Sequence, residues 1–141
     1  DSVPLAAAIQ DTALPPPTLP PGLLELGLGI DPAVAQQIAS ALFPHSVPVG
    51  VMRVGDLFLL AVPGEMMSGL GTEIKDAFKV KGAKHPVIAG LANVGLGYIL
   101  RPEDYLLGGY EASVSFYGPQ LGFTIQDAIL NAADQILQPP K

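Results

Sequence analysis

The sequence predicts an α/β fold in which helices pack on a mixed sheet, and three observations lead there. Short apolar runs such as "LFLLAV" at 57–62 have the length and composition of buried strands. Between them lie stretches whose apolar residues recur every three or four positions, the spacing of one helix face. The two patterns alternate along the chain, and such alternation builds layered α/β sheets.

The elements follow in order. Residues 1–30 differ from the rest, because "ALPPPTLPPG" is rich in proline, which lacks an amide proton and fixes φ. We expect an extended arm or linker there, with Leu5, Leu14, Leu19, Leu23 and Leu24 packing it onto a surface. Residues 31–141 form the main body. Asp31-Pro32 reads as an N-cap followed by proline at the first helical position. Val34, Ile38, Ala41 and Leu42 give that helix an apolar face, and Pro44 ends it. "VPVGVMRV" and "LFLLAV" are joined by Gly55-Asp56, a hairpin signal. The second run is apolar throughout, which predicts an interior strand covered on both faces.

A helix is expected after Glu65, with Leu70, Ile74, Ala77 and Phe78 at helical spacing and Gly82 near its end. "PVIAGLAN" reads as another buried strand, "VGLGYILRPEDY" as a glycine-rich loop, and "YEASVSFYGP" as strand or turn. The last helix carries Leu121, Ile125, Ala128, Ile129, Ala132 and Ile136 on one face and stops before Pro139.

Composition narrows the function classes. With 141 residues the chain holds one domain's worth of core. Hydrophobic residues make up 49% and charged residues 14%, so part of the surface is expected to be covered by another chain. No apolar run approaches the roughly 18 residues of a membrane-spanning helix; "PVIAGLANVGLGYIL" is broken by Asn93. A net charge of −6 disfavours nucleic acid, which needs a stripe of Lys and Arg. The absence of cysteine excludes disulfides and thiolate zinc sites. A start at Asp1 without a signal-like segment leads us to expect a processed chain.

Glu65 stands where a buried strand meets a helix. The helix macrodipole by itself favours an acid in a first turn, yet strand carboxyl ends are also where ligands bind in α/β proteins. "PVIAGLAN" feeds the loop that presents Tyr98, so Glu65 and Tyr98 converge if the two strands are neighbours. Tyr98, Tyr105, Tyr110 and Tyr117 cluster in sequence and serve either as amphipathic caps on the core or as pocket lining. His45 and His85 lack partners at metal-ligand spacing and read as solvated loop residues. "GLANVGLG" is no dinucleotide fingerprint, and Ser68, Ser113 and Ser115 lie in no nucleophile elbow. No complete catalytic constellation is present.

From about Val47 to Ile136 the sequence resembles the closing portion of the neutral (non-lysosomal) ceramidase catalytic domain. "LFLLAVPGE" resembles the family strand ending in V-P-G-E. "GLANVGLGYILRPEDY" is similar to its G-L-x-N-x-Y-x-x-Y segment, and "YEASVSFYGP" to its Y-E…Y-G-P signature. For the first 40 or so residues we place no resemblance. The resemblance implies that Glu65 and Tyr98 complete a catalytic zinc site with two histidines from outside this chain. Zinc would polarise an amide carbonyl and activate water, and the Tyr98 phenol, as a catalytic group, could donate to the developing oxyanion.

The resemblance therefore implies the C-terminal segment or subunit of a zinc-dependent amidase, hydrolysing the N-acyl amide of a ceramide-like lipid to a fatty acid and an amine. Its partner would be an N-terminal companion chain or segment of the same precursor, its location secreted or extracytoplasmic, and the chain alone inactive. Gly95 replaces the first tyrosine of the family segment, Leu100-Arg101 its threonine pair, and Gln120 the histidine after Y-G-P. "MMSGLGTEIKDAF" stands where the family has an Arg-rich helix. Two alternatives are a hydrolase for a different N-acyl or ester substrate, and a non-catalytic structural or assembly protein on the same scaffold.

Overall fold

Two ladders of unequal size organise the chain, as seen in a computed structural model that describes residues 3–20 and 29–137. The larger has four strands in the order β1 (Leu5–Ala13), β2 (Ser46–Val54), β3 (Leu57–Ala61), β5 (His85–Ala89). The β1–β2 and β2–β3 pairs are antiparallel, and β3–β5 is parallel. The smaller ladder joins β4 (Glu65–Met66) to β6 (Tyr98–Ile99) in parallel. Five helices complete the described chain: α1 (Pro32–Leu42), α2 (Ser68–Val80), α3 (Pro102–Leu107), α4 (Tyr110–Ser113) and α5 (Leu121–Leu137). The fold is thus the mixed α/β arrangement that the alternating pattern predicts.

The core lies on one face of the large sheet. Val47, Val49 and Val51 of β2 and Phe58 and Leu60 of β3 point to that face. Helix α5 lies over β1 and β2, and α2 lies over β5. They bring Ile125, Ile129 and Ala132, and Leu70, Ile74 and Phe78, into the same cluster. The hairpin turn is at Gly55-Asp56 as expected, with Gly55 at φ +61°, a conformation glycine adopts without Cβ strain.

Several expectations need correction. Residues 1–30 are not an extended arm throughout, because Leu5–Ala13 pairs with β2 along its whole length. No proline lies between Pro4 and Pro15, so the amides of 5–13 are free to bond, and Ala6 and Ala8 are small enough to sit beneath α5. The Gln10 Nε2 donates to the Ala128 carbonyl at 3.0 Å and ties strand to helix. Leu14–Pro20 then runs without regular structure over the surface, with the Thr18 N–H bonded to the Phe116 carbonyl at 2.7 Å and Pro17 buried. Leu23 and Leu24 lie outside the described residues.

The first helix is capped as expected, the Asp31 Oδ1 accepting from the Ala33 N–H at 2.8 Å. It buries Ala35 and Ala39, however, and leaves Val34, Ile38 and Leu42 exposed. Strand β3 is interior to the sheet yet covered on one face only, for Leu57, Leu59 and Ala61 alternate outward and are half-buried. Strand β5 closes one edge of the sheet and is likewise buried on one face. The segment read as a glycine-rich loop contains β6 and α3. The uncovered face combines Leu5 and Ile9, Met52 and Val54, and Val87. Among the described residues nothing covers it.

Candidate functional site

The route from the large sheet to the small ladder runs through Val62-Pro63-Gly64. The Val62 N–H bonds to the Ala89 carbonyl, and the Leu91 N–H returns to the Gly64 carbonyl at 3.0 Å. The Leu96 N–H then reaches the Pro63 carbonyl at 2.8 Å. These bonds draw the chain after β5 alongside the chain after β3. Two ladder bonds follow, from the Glu65 N–H to the Gly97 carbonyl at 2.9 Å and from the Met67 N–H to the Ile99 carbonyl at 3.0 Å.

Close approach here depends on glycine. A Cβ on Gly64 would stand 2.5 Å from the Gly97 carbonyl oxygen and 3.1 Å from Ile99. Gly97 itself has φ +82° and faces the Val114 carbonyl on its other side. Ser115 bridges Gly97 there, adding a third, one-residue rung beside β6. So the ladder is short, and its spacing is set by two residues without side chains.

In this register Glu65 pairs with Tyr98, and residues paired across a ladder project from the same face. Glu65 is exposed and Tyr98 half-buried. Tyr110 packs edge-on against Tyr98, with ring centroids 5.9 Å apart and planes at 75°, a favourable aromatic geometry. Partial burial, and then the Glu65 carboxylate beside it, hold the Tyr98 phenol above its ordinary titration range. Burial penalises the phenolate, and the neighbouring negative charge does the same.

Glu65 is not in a helix first turn. Helix α2 begins at Ser68 with Met67 as its cap residue, and its first turn holds no acid. The macrodipole reading therefore does not account for this carboxylate, which sits in a strand facing a phenol.

The other singled-out residues stay apart from the pair or are used elsewhere. The His45 ring engages the Ser40 carbonyl at 3.1 Å at the end of α1. His85 opens β5 opposite Leu57, at the far end of the strands from Glu65, about 13 Å along β3. Ser113 Oγ bonds to the Tyr110 carbonyl, and Ser68 accepts from Thr72 Oγ1 through its carbonyl. Ser115 is buried with no partner for its hydroxyl among the described residues. Tyr117 is a core residue, its hydroxyl donating to the Pro44 carbonyl at 2.8 Å. Tyr110 escaped sequence reasoning as an individual. Only its place in the tyrosine cluster signalled it.

As a donor set, Glu65 and Tyr98 offer one carboxylate and one phenol oxygen, both ligand types suited to a divalent cation and both presented from one face. They fit as part of a metal site. Among the described residues no group of three His, Cys, Asp or Glu side chains could hold an ion, so a complete first shell would need donors from elsewhere. No helix among the described residues is long and apolar enough to cross a membrane.

The profile described as "Neutral/alkaline non-lysosomal ceramidase, N-terminal" matches residues 31–126. Neutral ceramidase 1 of Arabidopsis thaliana is 36% identical over 86 residues, which cover 54% of this chain and 11% of that protein. Neutral ceramidase of Pseudomonas aeruginosa is 30% identical over 94 residues, covering 64% of this chain and 14% of that one. The crystal structure of the Pseudomonas aeruginosa neutral ceramidase superposes with a TM-score of 0.74 at 21% identity, over 98% of this chain and 29% of that chain. A ceramidase complexed with C2 superposes with a TM-score of 0.71 at 19% identity, over 98% of this chain and 32% of that one. The matched part is therefore a small fraction of the relatives' length.

Proposed function

This chain belongs to the neutral/alkaline non-lysosomal ceramidase family, and from that membership we propose that it forms part of a zinc-dependent amidase. The observation that carries the reading is the Glu65–Tyr98 pairing across the β4–β6 ladder. The two side chains would hold the metal together with two histidines from a companion chain or segment of the same precursor. When bound, zinc supplies Lewis acidity toward an acyl carbonyl and lowers the pKa of water. Glu65 contributes the fixed negative charge. In the chain without metal, burial and then the Glu65 carboxylate hold the Tyr98 phenol above its ordinary range, and a protonated phenol beside the metal would donate a hydrogen bond to an oxyanion as it forms. Tyr110 orients the phenol by ring contact.

The substrate class we infer is the N-acyl amide of a ceramide-like lipid, cleaved to a fatty acid and an amine. One observation favours a broader range of acyl amides or esters. Gly95 stands where the resembling family segment has tyrosine, it is exposed, and a Cβ there would meet only the tip of Leu91 at 4.0 Å. The space that the family tyrosine would enter is open there.

We assign the uncovered face of the large sheet to the companion. It carries a cavity of about 300 Å³ whose lining includes Ala7, Ile9, Met52, Leu59 and Ala61, and Ala61 and Ala89 place it at the strand ends from which Glu65 departs. A secreted or extracytoplasmic setting for such an amidase is proposed from the family resemblance alone.

The test is substitution in the assembled protein. Glu65→Ala should remove the bound zinc, read by elemental analysis, together with hydrolysis of an N-acyl sphingosine. The chain by itself should bind zinc weakly and hydrolyse nothing. Stoichiometric zinc on this polypeptide alone would overturn the shared-site reading, and an assembled protein that keeps its zinc and activity without Glu65 would overturn the ligand assignment. A complex that assembles normally yet never shows amidase activity would instead support the structural role.

A further inference from the structure

The β4–β6 ladder is only two residues long, and parallel pairs gain less per residue than antiparallel ones. Something besides the ladder must hold Glu65 opposite Tyr98. Two residues after β6 comes Arg101, and one residue after Met66, the last of β4, is Met67, which caps α2. Arg101 occupies the cap position of α3 but its side chain makes no cap bond. Its guanidinium instead forks onto Asp104 of α3, with Nε to Oδ2 at 2.7 Å and Nη2 to Oδ1 at 3.0 Å. The remaining nitrogen, Nη1, crosses to Glu73 Oε1 of α2 at 3.0 Å, and Glu103 lies 3.4 Å from Nε.

We propose that Arg101 is a positioning residue for the Glu65–Tyr98 pair, clamping the helix that follows one strand to the helix that follows the other. A planar fork suits this, since it can satisfy two carboxylates on two elements in one fixed orientation. Room for it is built in. Gly69, in the first turn of α2, lets the guanidinium lie against the helix, and a Cβ there would stand 3.1 Å from the Arg101 Cζ. The Arg101 side chain is 29% exposed and that of Asp104 19%, so the fork is sheltered and fixes the guanidinium, while Glu73, at 49%, receives it at the surface. Arg101 also holds the Asp104 carboxyl below the usual carboxylate range. Sequence likeness did not suggest this role, because the position is one of the threonines in the resembling family segment.

The inference rests on the proposed use of the pair, but its test separates the two. Amide hydrogen exchange of the full chain without metal reads the Glu65 and Met67 amides, which bond across the ladder, against those of Phe58 and Leu60 in β3. Arg101→Gln should lower protection at the first two by about tenfold or more and leave β3 unchanged. Arg101→Lys, which keeps the charge and loses the fork, should rescue little. If Arg101→Gln does not fold, Glu73→Gln breaks only the bond between helices and should loosen the same two amides to a smaller degree. Unchanged protection in the folded variants, or an equal loss at all four amides, overturns the clamp. In the assembled protein, zinc affinity should fall by about 10–100-fold in Arg101→Gln. Loosened amides with no Glu65-dependent zinc in the parent protein would leave the clamp standing and the metal reading refuted.

Discussion

Among the described residues two parallel strand pairs differ in what holds them. The β3–β5 pair runs five residues and its inner side chains, Phe58 and Leu60, are sealed beneath α2 and α5. The β4–β6 pair runs two residues, carries an exposed acid and a half-buried phenol, and depends on Gly64, Gly97 and the Arg101 bridges. One is stabilised by apolar area removed from water, the other by close backbone approach and charge. A site needs polar groups that reach a ligand, and polar groups cannot supply the burial that would fix them. The larger pair therefore anchors the smaller through Val62-Pro63-Gly64.

The comparison predicts where changes are felt. Leu60→Ala, at a fully buried position, should cost about 2–5 kcal/mol and lower the midpoint of a single unfolding transition. If the ladder amides stayed protected after β3 had melted in that variant, the anchoring would be refuted. Alkaline pH attacks the core as well. Burial pushes the Tyr117 phenol up to about 12, whereas an unfolded tyrosine titrates near ~10. The unfolded state thus loses its proton first, so the stability from this group is complete below ~10 and is lost as pH rises to about 12, on the order of 2–3 kcal/mol. Denaturant midpoints at pH 9 and 12 check the sign, and Tyr117→Phe should flatten the dependence.

Gly64→Ala acts on the smaller pair. Its Cβ would meet the Gly97 carbonyl, a backbone atom with little room to move, at a cost of about 1–3 kcal/mol. The Glu65 and Met67 amide resonances should shift while those of Phe58 and Leu60 stay. Spread of the change into β3 would show that the two pairs are not separable. Smallest in stability is Glu65→Gln, at an exposed position, expected within about 0.5 kcal/mol. Its signature lies elsewhere. Removing the carboxylate should bring the Tyr98 ring titration down toward the ordinary tyrosine value, because the negative charge that opposes phenolate formation is gone. A Tyr98 titration that does not move would mean the two side chains are farther apart in solution than their register implies.

Legibility in the sequence followed range of interaction. Asp31-Pro32 and Gly55-Asp56 act through backbone geometry within a few residues, and both stand where they were read. The same is true of α5, whose apolar spacing repeats over several turns. Val34, Ile38 and Leu42 show the limit, since their spacing marked an apolar face and the helix buried the opposite alanines instead. Strand β1 was hidden by its neighbours, as the prolines beyond Ala13 dominated the reading of the whole segment. The ladder was missed because two residues are too few for any period to register. Glu65 and Tyr98 stand out by their places at strand ends, which converge if the strands are neighbours, and the motif words add a shared role.

By itself the sequence determined the type of the longer elements α1, α2, α5, β2, β3 and β5, the hairpin and the cap at Asp31, since propensity and turn chemistry act over a few bonds. Only the tertiary structure decided which faces are covered, that residues 5–13 join the sheet, and that Arg101 spans two helices. Those outcomes depend on groups far apart in the chain, such as Glu73 and Arg101, brought within 3.0 Å of one another by a core that neither belongs to.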